Sequence, residues 1–191
     1  MDDDRAAYLD AVLIGGREPA NIVVADYDDA WPGRFEVLAE KVRRALGPRA
    51  RCLEHIGSTS VPGLAAKPII DMLLIVDDVR DEAEFVAPLE VAGFELRVRE
   101  PDHRMFRTPQ RDMHLHVYAS GRAEARDYLD LRDWLRVSSD DRTLYATAKR
   151  RLAQKRWNDM NDYADAKTDV VHEILARART WRAAGAHPIE A

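Results

Sequence analysis

Four groups of residues in this chain have the types and spacing that chemistry needs. The first is Gly57-Ser58-Thr59-Ser60, a tight turn following a strand-like segment. Such a turn exposes backbone N–H groups and hydroxyls, which suit phosphate oxygens and equally well cap a helix. The second is Asp71, set between Ile70 and Met72 inside the most apolar run of the sequence. A carboxylate there is costly unless it is paired, hydrogen-bonded or metal-bound. The third is Met113-His114-Leu115-His116-Val117, where alternation puts His114 and His116 on one strand face. Two imidazoles at that spacing can share a metal ion, contact phosphate when protonated, or simply bond to neighbours. His55, just before the turn, is a candidate to join them. The fourth is local positive charge. Arg97, Arg99, Arg104, Arg107 and Arg111 fall in one short region, and Arg142 to Arg156 holds Arg142, Lys149, Arg150, Arg151, Lys155 and Arg156 with no acid. Such runs form either a solvated face or a basic wall for a polyanion.

The elements that must position these residues follow from periodicity. The first dozen residues read as a short helix or tail, and Ile22 to Ala25 as a strand-like run. Pro32 suits a helix start, and Phe35, Leu38, Ala39, Val42 and Leu46 recur at helical spacing until Gly47-Pro48 ends the helix. Arg51 to Ile56 predicts a short strand. Lys67 to Val76, nearly continuous in Ile, Leu and Val, predicts a strand buried on both faces, with Asp71, Leu73 and Ile75 sharing one of them. A helix through Phe85, Val86 and Leu89 closes at Gly93. Phe94–Arg99, His103–Thr108 and Met113–Ala119 predict short strands, hence hairpins and a mixed sheet. From Glu124 to about Ala184 the pattern is helical, giving two or three helices, with Ser138-Ser139-Asp140-Asp141 as a loop and cap between two of them. The tail from Gly185 reads as frayed.

The chain is thus an α/β (α+β) body over about 20–120 followed by C-terminal helices over about 121–185, read as a single domain spanning 1–191. Its 191 residues, 46% hydrophobic and 33% charged, suit one globular domain and argue against disorder. With 29 basic and 34 acidic side chains the net charge is -5, which excludes a uniformly basic nucleic-acid coat. No recognition-helix motif points to sequence-specific nucleic acid. One cysteine, Cys52, excludes an intrachain disulfide and a cysteine-based zinc site. No apolar run approaches the roughly 20 residues that span a bilayer, and the acidic N-terminus is unlike a signal peptide. The expectation is a cytoplasmic protein without a membrane partner.

The segment HIGSTSVPGLAAKPIID, His55 to Asp71, resembles the defining motif of the GrpB family, which is similar to the nucleotidyltransferase superfamily of DNA polymerase beta. Tyr27, Trp31 and Pro32 match an N-terminal Tyr-Asp-x-x-Trp-Pro element of that family. The stretch from Arg132-Asp133 through Tyr145, Lys149, Leu152, Tyr163 and Lys167 resembles its helical C-terminal part, so the likeness covers about 22 to 178. The resemblance implies a nucleotidyltransferase-like mixed β-sheet flanked by helices. It implies an NTP substrate with its phosphates at Gly57, Ser58, Thr59, Ser60 and Lys67, further phosphate or acceptor contacts from Tyr145, Lys149, Tyr163 and Lys167, and Asp71 as catalytic carboxylate; Arg104 of the basic hairpin region is a phosphate candidate by its charge. In that superfamily carboxylates at alternate strand positions, and a third on a later strand, hold two Mg²⁺ ions. Asp71 matches the first; Leu73 stands where the second is expected, and Met113–Ala119 offers His114 and His116 but no acid.

Beside the bland reading of an interaction domain whose polar cluster is structural, two readings follow from that departure. In one, the protein moves a nucleoside monophosphate to a small-molecule acceptor, with Asp71, His114 and His116 holding Mg²⁺ or another divalent metal, or with Glu54 or Asp112 substituting for the missing acid. In the other, it binds a nucleotide or phosphorylated small molecule without transfer. A family member fused to dephospho-CoA kinase in some bacteria makes a CoA precursor a sensible ligand there.

Overall fold

In this computed structural model residues 2–19, 22–157 and 159–185 are described. The described chain forms seven helices and one five-stranded sheet, and it divides into two compact units. The first comprises the chain up to Arg17, Ala30–His55 and Ile69–Arg122; the second comprises Glu18–Asp29, Ile56–Pro68 and the chain from Ala123 onward.

In the first unit, α1 (Asp2–Val12) leads to Leu13, which bridges Val98. α2 (Trp31–Leu46) starts on Pro32, as expected from a residue whose missing N–H costs nothing there. It buries Trp31, Phe35, Ala39, Val42 and Leu46 and ends at Gly47, whose φ of 56° is open to glycine without strain. The strands are β1 (Cys52–Ile56), β2 (Ile70–Val76), β3 (Glu95–Glu100), β4 (His103–Arg107) and β5 (Met113–Ala119), with α3 (Val86–Val91) between β2 and β3. Their order in the sheet is β1-β2-β5-β4-β3; β2 and β5 run parallel and β3, β4 and β5 form antiparallel pairs.

The mixed sheet expected from short strands is therefore present. β2 starts at Ile70 rather than Lys67, and Ala66 just before is bridged to Ala25. That isolated bridge is also all that remains of the strand expected over Ile22–Ala25. Ile70, Met72, Leu74 and Val76 of β2 and Met113, Leu115 and Val117 of β5 are buried on one sheet face, where α2 meets β2. Asp71, His114 and His116 point to the opposite, partly exposed face.

Arginines on the hairpin strands are spent on the fold. Arg97 bonds the carbonyls of Ile14 and Gly16, Arg99 pairs with Glu82, and Arg107 pairs with Glu95. Arg104, buried, donates to Glu82 and to the carbonyls of Glu100 and His103.

The second unit is built from α4 (Ala123–Val137), α5 (Ser139–Ala153), α6 (Met160–Asp165) and α7 (Thr168–Ala183), four helices where periodicity predicted two or three. The extra break falls at α6, where the Asp159 carboxylate accepts from the N–H groups of Asn161 and Asp162 and starts a new helix. Ser138 caps α5 as expected, accepting from the Asp141 N–H. Val61 and Leu64 of the motif segment are buried with Leu135, Tyr145 and Ile174 of these helices. The expected frayed tail beyond Gly185 lies outside the described residues.

Asp141 accepts from Trp134 Nε1 at 2.6 Å and from Arg177 Nε and Nη2 at 2.8 and 2.7 Å. The Arg177 guanidinium holds its carboxyl below the usual carboxylate range, helped by the Trp134 bond and opposed by burial. A depressed carboxylate contributes stability that is present above its unfolded value of about 3.9 and is lost as pH falls through its folded value. Urea titrations are expected to show a loss of stability below about pH 4 that Arg177→Ala flattens, with Arg177→Ala costing about 1–2 kcal/mol at pH 7. An unchanged acid limb in Arg177→Ala would count against this pair as its source.

Candidate functional site

Gly57 turns the chain at φ 68°, ψ -173°, a backbone state that a side chain opposes, so the residue type itself sets the turn. A single 3-10 turn, Ser58–Ser60, follows. The Ser60 hydroxyl donates to the Gly57 carbonyl at 2.6 Å. Arg136 of α4 donates to the Ser60 carbonyl through Nε at 3.1 Å and Nη2 at 3.0 Å. From α5, Lys149 Nζ donates to Ser58 Oγ at 2.8 Å and to the Ala65 carbonyl. Thr59 and Ser60 are buried, and they shape the turn from within.

Lys149 is only 3% exposed. Its ammonium lies 4.4 Å from the Tyr145 ring centroid, close enough for a cation–π contact. A second aromatic plays a similar part. Lys67 and Lys167 sit 5.2 and 4.6 Å from the ring centroid of Tyr163. Tyr163 itself is fully buried beside Ile22 and Leu152, with Trp157 packed edge-on. Its hydroxyl has no hydrogen-bond partner among the described residues, and burial, with Tyr145 nearby, pushes its phenol up to about 12. Tyr145 and Tyr163 thus each hold ammonium groups against a ring. Gly57, Ser58, Thr59, Ser60, Lys67, Tyr145, Lys149, Tyr163 and Lys167 all belong to the second unit.

Asp71, His114 and His116 belong to the first. β2 and β5 pair Asp71 with His114 and Leu73 with His116, so parallel register aligns the residues that alternation had placed on one face. Each offers a ligand atom within 4.8 Å of the others, and His114 Nδ1 lies 3.2 Å from Asp71 Oδ1. Among the described residues this is the one such cluster of three. His103 is the member that the sequence did not suggest. Its ring stacks on Tyr118 and His116, its Nε2 lies 3.1 Å from His116 Nδ1, and its Nδ1 lies 2.6 Å from Glu100. No local spacing pointed to it; the pairing of β4 with β5 brings His103 against His116. Burial first, with the neighbouring His103 ring adding to it, pushes His116 down to about 3, so it is a neutral imidazole at pH 7. The His103 bond holds the Glu100 carboxyl below its usual range against its own burial, with Tyr8 adding a second hydrogen bond.

Other candidates are placed elsewhere. His55 is buried and stacked flat on Phe35 at 4.8 Å, outside the cluster. Asp112 accepts from Thr108 and Arg34, which ties down the turn before β5. Glu54 faces the Cys52 thiol. Arg104 is committed to Glu82 and two carbonyls, which argues against a phosphate role. Of the basic run, Arg142 caps α4 through the Leu135 and Arg136 carbonyls and Arg150 pairs with Asp26, leaving Lys149 as its buried cation. A pair of Mg²⁺ ions needs a set of oxygen ligands. Leu73, fully buried, occupies the alternate position on β2, so these residues do not fit a two-magnesium site.

A mixed sheet whose first strand runs into a Gly-Ser turn, with helices after it, is an α/β fold similar to that of solved nucleotidyltransferases. The solved structure of a cytoplasmic RNA terminal U-transferase shares the fold at a TM-score of 0.50, with 18% identity over 68% of this chain and 42% of that one. The chain belongs to the GrpB family, whose GrpB protein model matches residues 21–177. The crystal structure of the conserved protein GrpB from Enterococcus faecalis is similar at a TM-score of 0.74 and 33% identity, covering 83% of this chain and 99% of that one. A UPF0157 protein of Streptomyces coelicolor is 51% identical over 89% of this chain and 91% of its own length. Among the described residues no helix is long and apolar enough to cross a membrane.

Proposed function

We propose that this protein binds an NTP and transfers its nucleoside monophosphate to a hydroxyl of a small-molecule acceptor. In that reaction the acceptor oxygen bonds to the α-phosphorus, the bond to the bridging β-phosphate oxygen breaks, and pyrophosphate and the hydroxyl proton leave. The observation that carries the reading is Lys149, a buried ammonium fixed on Ser58 at the Gly57 turn. An immobilised cation suits a phosphate because it needs no reorganisation when the charge arrives. Lys67 and Lys167 add two ammonium groups beside Tyr163. The nucleotidyltransferase-like fold supports the same substrate class. Asp71, His114 and His116 would hold a divalent ion.

The test is to incubate the purified chain with each NTP, Mg²⁺ or Mn²⁺ and a pool of hydroxylated metabolites, and to measure pyrophosphate. Release that disappears in Asp71→Asn is expected; absence of release under every combination would remove the transfer reading. Leu73 favours a second reading, binding of a nucleotide or CoA precursor without transfer. That reading expects a metal-independent rise in melting temperature with nucleotide and no pyrophosphate.

A further inference from the structure

We infer that Asp71, His114 and His116 form a one-carboxylate, two-histidine site that selects a first-row transition ion over Mg²⁺, with Glu100 and His103 as positioning residues for His116. This rests on the reading of that cluster as the protein's metal site, and it adds the class of ion and the residues that orient the ligands.

The donor atoms decide the class of ion. Mg²⁺ takes oxygen ligands in strict octahedral geometry, whereas imidazole favours Mn²⁺, Fe²⁺, Co²⁺ and Zn²⁺ progressively more than it does Mg²⁺. Here two of the three donors are imidazoles, and the neighbouring position that would supply a second carboxylate holds a buried Leu73. Bonds of about 2.1 Å put two ligands of one ion about 3.0–3.4 Å apart; His114 Nδ1 and Asp71 Oδ1 are already 3.2 Å apart, and the three donor atoms lie within 4.8 Å of one another. Three protein ligands leave coordination positions for phosphate oxygens or water.

The hydrogen bonds behind His116 decide which nitrogen carries its lone pair. Ionised Glu100 can only accept, so His103 Nδ1 donates to it across 2.6 Å. His103 Nε2 faces His116 Nδ1 at 3.1 Å, and a metal taken on the far nitrogen of His116 leaves the proton on Nδ1, where it meets His103. His116 therefore donates from Nδ1 and carries its lone pair on Nε2, the atom a metal binds. Tyr8 of α1 donates to the other Glu100 oxygen and keeps that carboxylate in place. Carboxylate–histidine chains of this kind orient metal ligands, and their loss typically weakens metal affinity by about 10–100-fold.

The full chain, stripped of metal with a chelator and dialysed, would be titrated with Co²⁺, read by its visible d–d absorption, and with Zn²⁺ against a chromophoric chelator. One ion per chain is expected, undisturbed by a thousand-fold excess of Mg²⁺ and lost in Asp71→Asn and His116→Ala. His103→Phe keeps a ring to stack on Tyr118 but removes the hydrogen bonds, and Glu100→Gln keeps the shape but alters the acceptor. Each is expected to weaken Co²⁺ binding about 10–100-fold and to change the absorption band, while the metal-free circular dichroism spectrum stays as in the parent. No ion bound by the parent chain overturns the site. Displacement by equimolar Mg²⁺ overturns the selectivity, and unchanged affinity and band in both His103→Phe and Glu100→Gln overturns the relay. The transfer reading fails separately. A chain that binds Co²⁺ in this way but releases no pyrophosphate keeps the metal site and loses the enzyme, whereas release supported by Mg²⁺ with no Co²⁺ band does the reverse.

Discussion

Asp71→Asn is expected to lower pyrophosphate release about 1000-fold or more while leaving the fold intact. Asp71 supplies the one carboxylate of the three-residue cluster, so asparagine removes the only negative ligand there and keeps the shape. Charge stabilisation by a bound ion is worth several kcal/mol, and about 4 kcal/mol corresponds to roughly three orders of magnitude in rate. The stability cost is small by comparison. The Asp71 side chain is 29% exposed and meets His114 at 3.2 Å, a half-solvated contact worth well under about 1 kcal/mol. A melting temperature within a few degrees of the parent, with metal binding and transfer both gone, is the expected result. Transfer retained within tenfold would place the catalytic carboxylate elsewhere.

Lys149→Met is the second large effect, and it acts on both binding and stability. Methionine keeps the length and apolar stem while the ammonium leaves Ser58 Oγ, the Ala65 carbonyl and the Tyr145 ring without their donor. A buried carbonyl that loses its partner costs about 1–3 kcal/mol, which the relief of a buried charge partly offsets. NTP binding is expected to weaken about 10–100-fold, equivalent to about 1.4–2.7 kcal/mol, and to lose part of its salt dependence. Lys149→Arg is not expected to restore it, because a planar guanidinium does not fit a point contact to a hydroxyl and a carbonyl. Isothermal titration with NTP and urea unfolding of both variants give the two numbers. An unchanged dissociation constant in Lys149→Met would remove Lys149 from the phosphate site.

Sequence alone determined the local elements and the identity of most candidate residues. Alternation in Ile70–Val76 and Met113–Ala119 put Asp71, His114 and His116 on strand faces, since the direction of a side chain along a strand depends only on parity. Gly57 and the segment up to Asp71 were legible as a turn feeding a strand, and Pro32, Gly47 and Ser138 marked helix ends through their backbone and capping preferences. The family resemblance rested on the same segment. Periodicity was silent on what depends on contacts between distant positions. The parallel register of β2 on β5, which aligns Asp71 with His114, joins residues 43 apart in the chain. His103 and Glu100 enter the site because β4 folds back on β5, and nothing in their local spacing distinguishes them from other strand residues. Arg104 looked like a phosphate ligand because charge is visible in sequence, whereas its commitment to Glu82 is not. Tertiary structure likewise placed the 56–68 segment among the C-terminal helices, because Val61 and Leu64 bury themselves against Leu135, Tyr145 and Ile174. Burial is a property of the assembled chain, so it is there that the pattern of residue types becomes a pair of candidate sites.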